Sequence, residues 1–243
     1  MDESKIEEMF DKEDDYWWFA ARREMVLTLL KKYVKRGARL LDAGCGTGIL
    51  TKTIEHTYKV TAIDVSKKAL ALARKRKPKA KLLWANLEKR LPFPKDSFTG
   101  ITLLDVLEHI DDRKSLPNLA RVMKPEGVII ITVPAYPWLF SYWDILHQHK
   151  RRYTRTHLIQ VLKQYGFTIE HSSYFNTLFF PLILFVRIIK SSFDKSHRDS
   201  DCFEMPKKTN NFLHAIFKKE TFLATKFRIP FGLSLLMVAR KKK

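Results

Sequence analysis

The stretch Leu40-Leu-Asp-Ala-Gly-Cys-Gly-Thr-Gly48 carries glycines at 44, 46 and 48, with Asp42 two positions before the first and Cys45 between two of them. A glycine-rich turn lets the chain reverse tightly and lays bare backbone against a ligand where a Cβ would collide. The spacing is G-x-G-x-G, not the G-x-G-x-x-G that seats a pyrophosphate on a helix N-terminus. The acid beside the turn disfavours a pyrophosphate and suits a cationic group. Sixteen residues after Gly48 a second acid, Asp64, closes Ala62-Ile-Asp64 and is followed by Val65. At a strand end such a carboxylate accepts hydrogen bonds from both hydroxyls of a ribose. In Trp84-Ala-Asn-Leu87, Asn86 can read an adenine edge and Leu87 can pack on its face.

These residues need strand ends to hold them. Short apolar or β-branched runs at Arg39–Ala43, Lys59–Asp64, Lys81–Ala85, Gly100–Leu104 and Val128–Val133 alternate with helical patterns, as in a parallel sheet buried on both faces. A helix is expected from Tyr16 to Lys35 and another over Thr156–Tyr165, stopped by Gly166, with further strands near Phe167–Tyr174 and Ser234–Arg240. The expected architecture is α/β: a Rossmann-like seven-stranded, mostly parallel sheet with helices on both faces and a helical insert before the last strand. The expected divisions are an acidic and aromatic lid helix (1–35), the core (36–175), a hydrophobic and basic insert (176–231), and a final strand with a basic tail (232–243).

With LDAGCGTG, AIDVS, LLDVLEHIDD and KPEGVIIITVP, the chain resembles the class I S-adenosylmethionine-dependent methyltransferases, in their small-molecule and quinone-biosynthesis branch. The resemblance covers roughly residues 36–175 and the final strand. It implies S-adenosyl-L-methionine as cofactor, with its methionine part held by the positions of Asp42, Gly44, Cys45, Gly46 and Gly48. It further implies a ribose held by Asp64, and an adenine flanked by Val65, Asn86 and Leu87.

The acceptor belongs beyond the same strand ends. Leu104-Asp-Val-Leu-Glu-His-Ile-Asp111 puts Asp105, Glu108 and His109 there, and a helical turn after the strand would turn all three to one side. His109 is the first candidate base, since imidazole titrates near neutrality; Asp105 also falls within reach of the cofactor. The D-x-x-E-H cluster has the donors for a divalent cation, but no metal is expected, and Glu108 with His109 can equally pin the following helix. In Tyr16-Trp-Trp-Phe-Ala-Ala-Arg-Arg23, Arg22 or Arg23 can pair with the cofactor carboxylate, Arg23 being the one assigned, and Trp18 faces acceptor or core. In His147-Gln-His-Lys-Arg-Arg-Tyr153, His149, Arg152 and Tyr153 are candidate ligands of an anionic acceptor, or members of a basic surface loop.

The 243 residues are enough for one large domain, and two cysteines, Cys45 and Cys202, are too few for a disulfide framework, which favours a reducing, cytoplasmic setting. Net charge is +19, yet residues 1–15 hold eight acids and two bases, so the remaining 228 carry +25. Such a surface attracts phosphate, whether of nucleic acid or of lipid headgroups. The opening is acidic and lacks the apolar core of a signal peptide. The longest apolar run, Leu178 to Val186, meets Arg187 well short of the ~20 residues that span a bilayer. Aromatic and basic residues alternate through NFLHAIFKKETFLATKFR, the combination of helices lying in a membrane interface. The expected function is methyl transfer to a lipid-, quinone- or glycolipid-like small molecule, with peripheral contact at the inner membrane face. An RNA methyltransferase is the second reading, against which stands LDVLEH where many base N-methylating enzymes carry an N/D-P-P-Y-type motif. A non-catalytic cofactor-binding protein is the third.

Overall fold

The computed structural model describes residues 3–181 and 205–243. Seven strands, β1 (Arg39–Ala43), β2 (Lys59–Asp64), β3 (Lys81–Trp84), β4 (Phe98–Leu104), β5 (Met123–Pro134), β6 (Phe167–Phe175) and β7 (Ser234–Lys241), form one sheet in the order β3-β2-β1-β4-β5-β7-β6. Pairings from β3 to β5 are parallel, and β7 runs antiparallel between β5 and β6. The described helices are α1 (Glu3–Lys12), α2 (Trp17–Tyr33), α3 (Ile49–Ile54), α4 (Lys67–Lys75), α5 (Asp112–Val122), α6 (Tyr142–Leu146), α7 (Arg155–Gln164) and α8 (Lys207–Lys226). The chain steps outward from β1 to β3 and then returns to β4 on the other side of β1. The crevice beyond the carboxyl ends of β1 and β4 is therefore the switch point where open α/β sheets hold ligands.

Because successive strand residues face opposite sides, the apolar run of β5 feeds two cores at once. Ile129, Ile131 and Val133 pack with Leu116, Leu119, Leu158 and Leu162 of α5 and α7. Val128 and Ile130 pack with Met25, Leu29, Leu50 and Phe217 of α2, α3 and α8. β5 begins five residues before the apolar run suggests, and β4 two residues early. Phe98 pairs with Met123 across a register shift, which draws the polar Lys124-Pro-Glu126 into the strand.

The expected single N-terminal helix is two. Arg76, at the end of α4, donates to the Phe10 carbonyl, to Glu13 and to both oxygens of Asp14, and Arg23 donates to the carbonyls of Glu13 and Asp14. These bonds capture backbone groups that a continuous helix would use internally. Ahead of the break, Ile6 and Phe10 rest on Ala69 and Leu72 of α4.

Of the insert expected over 176–231, the described part past 204 is α8, which docks along α2. Trp18 stacks on Phe217 at 5.0 Å between ring centroids and on Phe175 at 6.0 Å, while Trp17 meets Phe217 edge-on at 5.2 Å. Asn210 of α8 accepts from the Trp17 amide and donates to the Asp15 carbonyl, supplying the N-terminal cap that Tyr16 cannot. Most of the apolar run Leu178 to Val186, and Cys202, lie outside the described residues.

The Phe217 ring, fully buried, is the joint between insert and core. Phe217→Ala should lower unfolding free energy by about 3–5 kcal/mol in chemical denaturation. A loss below about 1 kcal/mol would mean that α8 is not docked there.

Candidate functional site

The turn after β1 is held by backbone first. The amides of Gly44 and Cys45 both donate to the Ile63 carbonyl, and the Gly46 amide donates to Asp64 Oδ2 at 2.9 Å. Glycine is required at 44 and 48 for two reasons. Their φ angles are +77° and +85°, and an added Cβ would stand 2.3 Å from Val106 Cγ2 at Gly44 and 2.8 Å from Ala73 Cβ at Gly48. Both collisions are with the protein itself. Only Gly46, where a Cβ would meet nothing closer than the Met9 methyl at 3.4 Å, leaves its backbone bare toward the crevice.

Asp42 is buried, and its oxygens accept from Thr51 Oγ1 at 2.6 Å and Thr102 Oγ1 at 2.7 Å. It ties β1 to α3 and β4 and so braces the turn. Asp64 accepts from the Gly46 and Ser66 amides. Burial raises the pKa of both carboxylates, and Asp64 contributes to the rise at Asp42. Burial thus favours the neutral acids, the hydrogen bonds they accept favour the charged ones, and a cationic ligand beside them would favour the charged forms where a polyphosphate would not. Beside Asp64, Val65 and Trp84 stand 58% and 51% exposed, an unusual opening of apolar surface at the ends of β2 and β3. Asn86 Oδ1 is turned to the Glu88 amide, and Leu87 is buried. Cys45 is a buried free thiol whose pKa burial drives up, so it is inert.

Past β4 the chain enters a single 3₁₀ turn, Leu107–His109, and not an α-helix, with Asp105 at φ +53°. Asp105 is therefore separated from Glu108 and His109, which stay together. Asp105 accepts from Thr132 Oγ1 and forms an ion pair with Arg22 of α2. Glu108 is fully buried, neither of its carboxylate oxygens has a hydrogen-bond partner, and burial raises its pKa to about 8. His109 is half-buried, burial lowering its pKa to about 4 with His149 adding to the fall.

His149 joins this group through one backbone bond and one side-chain bond that lace its loop to the 3₁₀ turn. The Lys150 amide donates to the Glu108 carbonyl at 2.8 Å, and His109 Nδ1 lies 3.1 Å from the Gln148 carbonyl. The rings of His109 and His149 meet edge-to-face at 4.8 Å, and donor atoms of Glu108, His109 and His149 lie within 4.8 Å of one another. His149 Nδ1 is oriented by Asp144 Oδ1 at 2.9 Å, and Asp144 also accepts from Arg152. Although burial opposes it, bonds from His149 and Arg152 hold the Asp144 carboxyl well below the usual range.

Several expected ligands are placed elsewhere. Arg23 is spent on the Glu13 and Asp14 carbonyls, and its neighbour Arg22 pairs with Asp105. Arg152 is buried on Asp144 and the Ala135 carbonyl. Tyr153 is fully buried, its hydroxyl on Asp112. Trp18 belongs to the α2–α8 packing. Sequence reasoning passed over Asp144, although Ser141 and Asp144 stand at the spacing of a capping box, which the structure forms. It also passed over Glu13, which reaches the turn from the N-terminal side by accepting from Thr47 Oγ1. Burial raises the Glu13 pKa to about 7 despite Arg76.

Residues 41–131 match the family described as a methyltransferase domain. The demethylmenaquinone methyltransferase of Tropheryma whipplei is 33% identical over 131 residues, 53% of this chain and 52% of that protein. The chain spans about half the length of the curated relatives it matches. A chain in the complex between the Haloferax volcanii Trm112 methyltransferase activator and the putative methyltransferase superposes with a TM-score of 0.65 at 17% identity, covering 99% of this chain and 95% of that one. The Haemonchus contortus phosphoethanolamine N-methyltransferase 2, solved with S-adenosyl-L-methionine, superposes at 0.59 and 21% identity over 89% of this chain and 52% of that one. The domain match spans β1 to β5 and with them the glycine turn, Asp64 and the 3₁₀ turn; over these residues the chain carries a methyltransferase domain.

Proposed function

We propose that the chain binds S-adenosyl-L-methionine at the β1 turn and methylates a hydrophobic small molecule presented at an anionic membrane surface. The observation carrying the first half is the Gly46 backbone bonded to Asp64, beside exposed Val65 and next to the turn braced by the carboxylate of Asp42. Asp64 holds the ribose, Val65, Asn86 and Leu87 flank the adenine, and Arg22, in place of Arg23, reaches the carboxylate as Asp105 lets it go. When bound, the cofactor supplies an electrophilic methyl group on a sulfonium. The protein's own work is alignment, and removal of the acceptor's proton where the acceptor carries one. Glu108, His109 and His149 are the groups clustered on the acceptor side.

The acceptor class rests on surface chemistry and on the quinone-type name of the Tropheryma relative. Exposed Trp138 and Phe231 belong to one aromatic run with Tyr136 and Phe180, at centroid spacings of 5.5, 5.8 and 6.1 Å, beyond the carboxyl ends of β5 and β6. Nearby in sequence, Phe140, Tyr142 and Ile145 are also exposed. The outer face of α8 offers Phe212, Phe222 and Leu223 among Lys208, Lys219 and Lys226. Apolar groups enter the interface and lysines meet its phosphates. None of the described helices is long and apolar enough to cross a membrane.

Asp64→Ala should weaken S-adenosylmethionine binding in calorimetry by roughly 10- to 100-fold, the worth of about 1.5–3 kcal/mol for hydrogen bonds to a charged group; unchanged affinity would remove the ribose assignment. Sedimentation with anionic phospholipid vesicles should persist at about 1 M salt, where surface charges are screened, and should fall several-fold in the double variant Trp138→Ser/Phe231→Ser. Complete release by salt, with nucleic acid co-purifying at low salt, would favour the RNA reading instead.

A further inference from the structure

We infer that Glu108, His109 and His149 form a binding site for one divalent transition-metal cation, on the acceptor side of the crevice. The sequence reading expected no metal and gave the cation-capable donors as Asp105, Glu108 and His109. The structure replaces Asp105, already paired with Arg22 and Thr132, by His149 from the loop after α6.

Three independent observations carry the site. Donor atoms of the three side chains lie within 4.8 Å of one another, close to the spacing of about 3.4 Å that a tetrahedral ion with bonds near 2.1 Å imposes. Next, Glu108 is fully buried with both oxygens unpartnered, a state that costs free energy unless something positive or donating satisfies it. Finally, both imidazoles are held as ligating imidazoles are. His109 Nδ1 faces the Gln148 carbonyl and His149 Nδ1 faces the Asp144 carboxylate; each oxygen can only accept, so the proton sits on Nδ1 and the Nε2 lone pair is free. Asp144, His149 and the cation then form the carboxylate–histidine–metal arrangement that fixes ring orientation and raises ligand basicity.

The donor set chooses the ion. Two imidazoles and one carboxylate suit Zn²⁺, Co²⁺, Mn²⁺ or Fe²⁺; Mg²⁺ and Ca²⁺ prefer all-oxygen shells. Three protein ligands leave a position open, as in catalytic sites. This use of the site rests on the proposed methyltransferase reading: an acceptor hydroxyl at the open position is acidified, its O–H bond breaks, the proton passes to solvent water, and the electron pair stays on oxygen.

The test uses untagged full-length protein, stripped with a chelator and dialysed. Titration with Co²⁺ should give d–d absorption saturating at about one equivalent, and Zn²⁺ should displace it. Glu108→Gln and His149→Ala should each weaken Co²⁺ at least 10-fold, and Asp144→Asn by about 10- to 100-fold, while His147→Ala binds like the parent. Melting curves and S-adenosylmethionine calorimetry accompany every variant. Stripped protein that is folded and binds S-adenosylmethionine but takes up no Co²⁺ overturns the site, as does Co²⁺ binding indifferent to Glu108 and His149. Co²⁺ bound with the expected mutational pattern in a protein that ignores S-adenosylmethionine leaves the metal site standing and removes the reading beneath it.

Discussion

The reversal of the chain between β1 and α3 fixes where everything else in the crevice can stand. It depends on Asp42, a carboxylate buried at the end of a central strand and satisfied by hydroxyls from α3 and β4. A buried charge without such partners would cost several kcal/mol. With them, one side chain registers three elements against each other. Gly44 and Gly48 can then fold inward onto Val106 and Ala73, which brings the Gly46 amide to Asp64 at the end of the neighbouring strand. The turn is built on acidic side chains that burial pushes toward neutrality, and a cationic ligand beside them would restore their charged forms.

A second layer of constraint comes from segments remote in sequence. The loop at 147–150 is tied to the 3₁₀ turn at 107–109 by the main-chain bond from Lys150 to Glu108 and by the His109 ring on the Gln148 carbonyl, which together bring His149 beside His109. Its far side is anchored by Arg152 on Asp144 and by Tyr153 on Asp112. Residues that look like surface ligands in the string HQHKRRY are thus divided between one that faces the crevice and two that hold the loop in place. The N-terminal helices are set by Arg76 and Arg23 from one side and by Asn210 of α8 from the other, and this leaves Arg22 over Asp105.

Much of this was legible in the sequence where the signal is local. β1 and β2 were bounded to the residue because apolar runs end in glycine and acid, and the glycine turn announces its own geometry. Burial in three dimensions was less legible. The buried positions of α2 (Met25, Val26, Leu29 and Leu30) lie three, four, seven and eight residues on from Arg22 but two, three, six and seven on from Arg23, so helical period puts Arg22 on the buried face, a signal the choice of Arg23 left unused. The side-by-side placement of Asp105, Glu108 and His109 assumed a regular helix after β4; the left-handed backbone at Asp105 breaks that assumption. Tyr153 is drawn into the core by a lone parallel bridge to Ala135, which no periodicity reveals. His149 reaches Glu108 only through loop docking, whereas Asp144 could have been found from its capping-box spacing.

Cofactor binding as proposed depends on the carboxylate of Asp64, held by the Gly46 amide at the end of β2. A crystal structure of the protein grown with S-adenosyl-L-homocysteine tests it most directly. The account predicts a nucleoside with its ribose hydroxyls on Asp64, its thioether over the β1 turn and its carboxylate on Arg22. Ligand density elsewhere, or a turn still closed over Asp64 at saturating ligand, would contradict it.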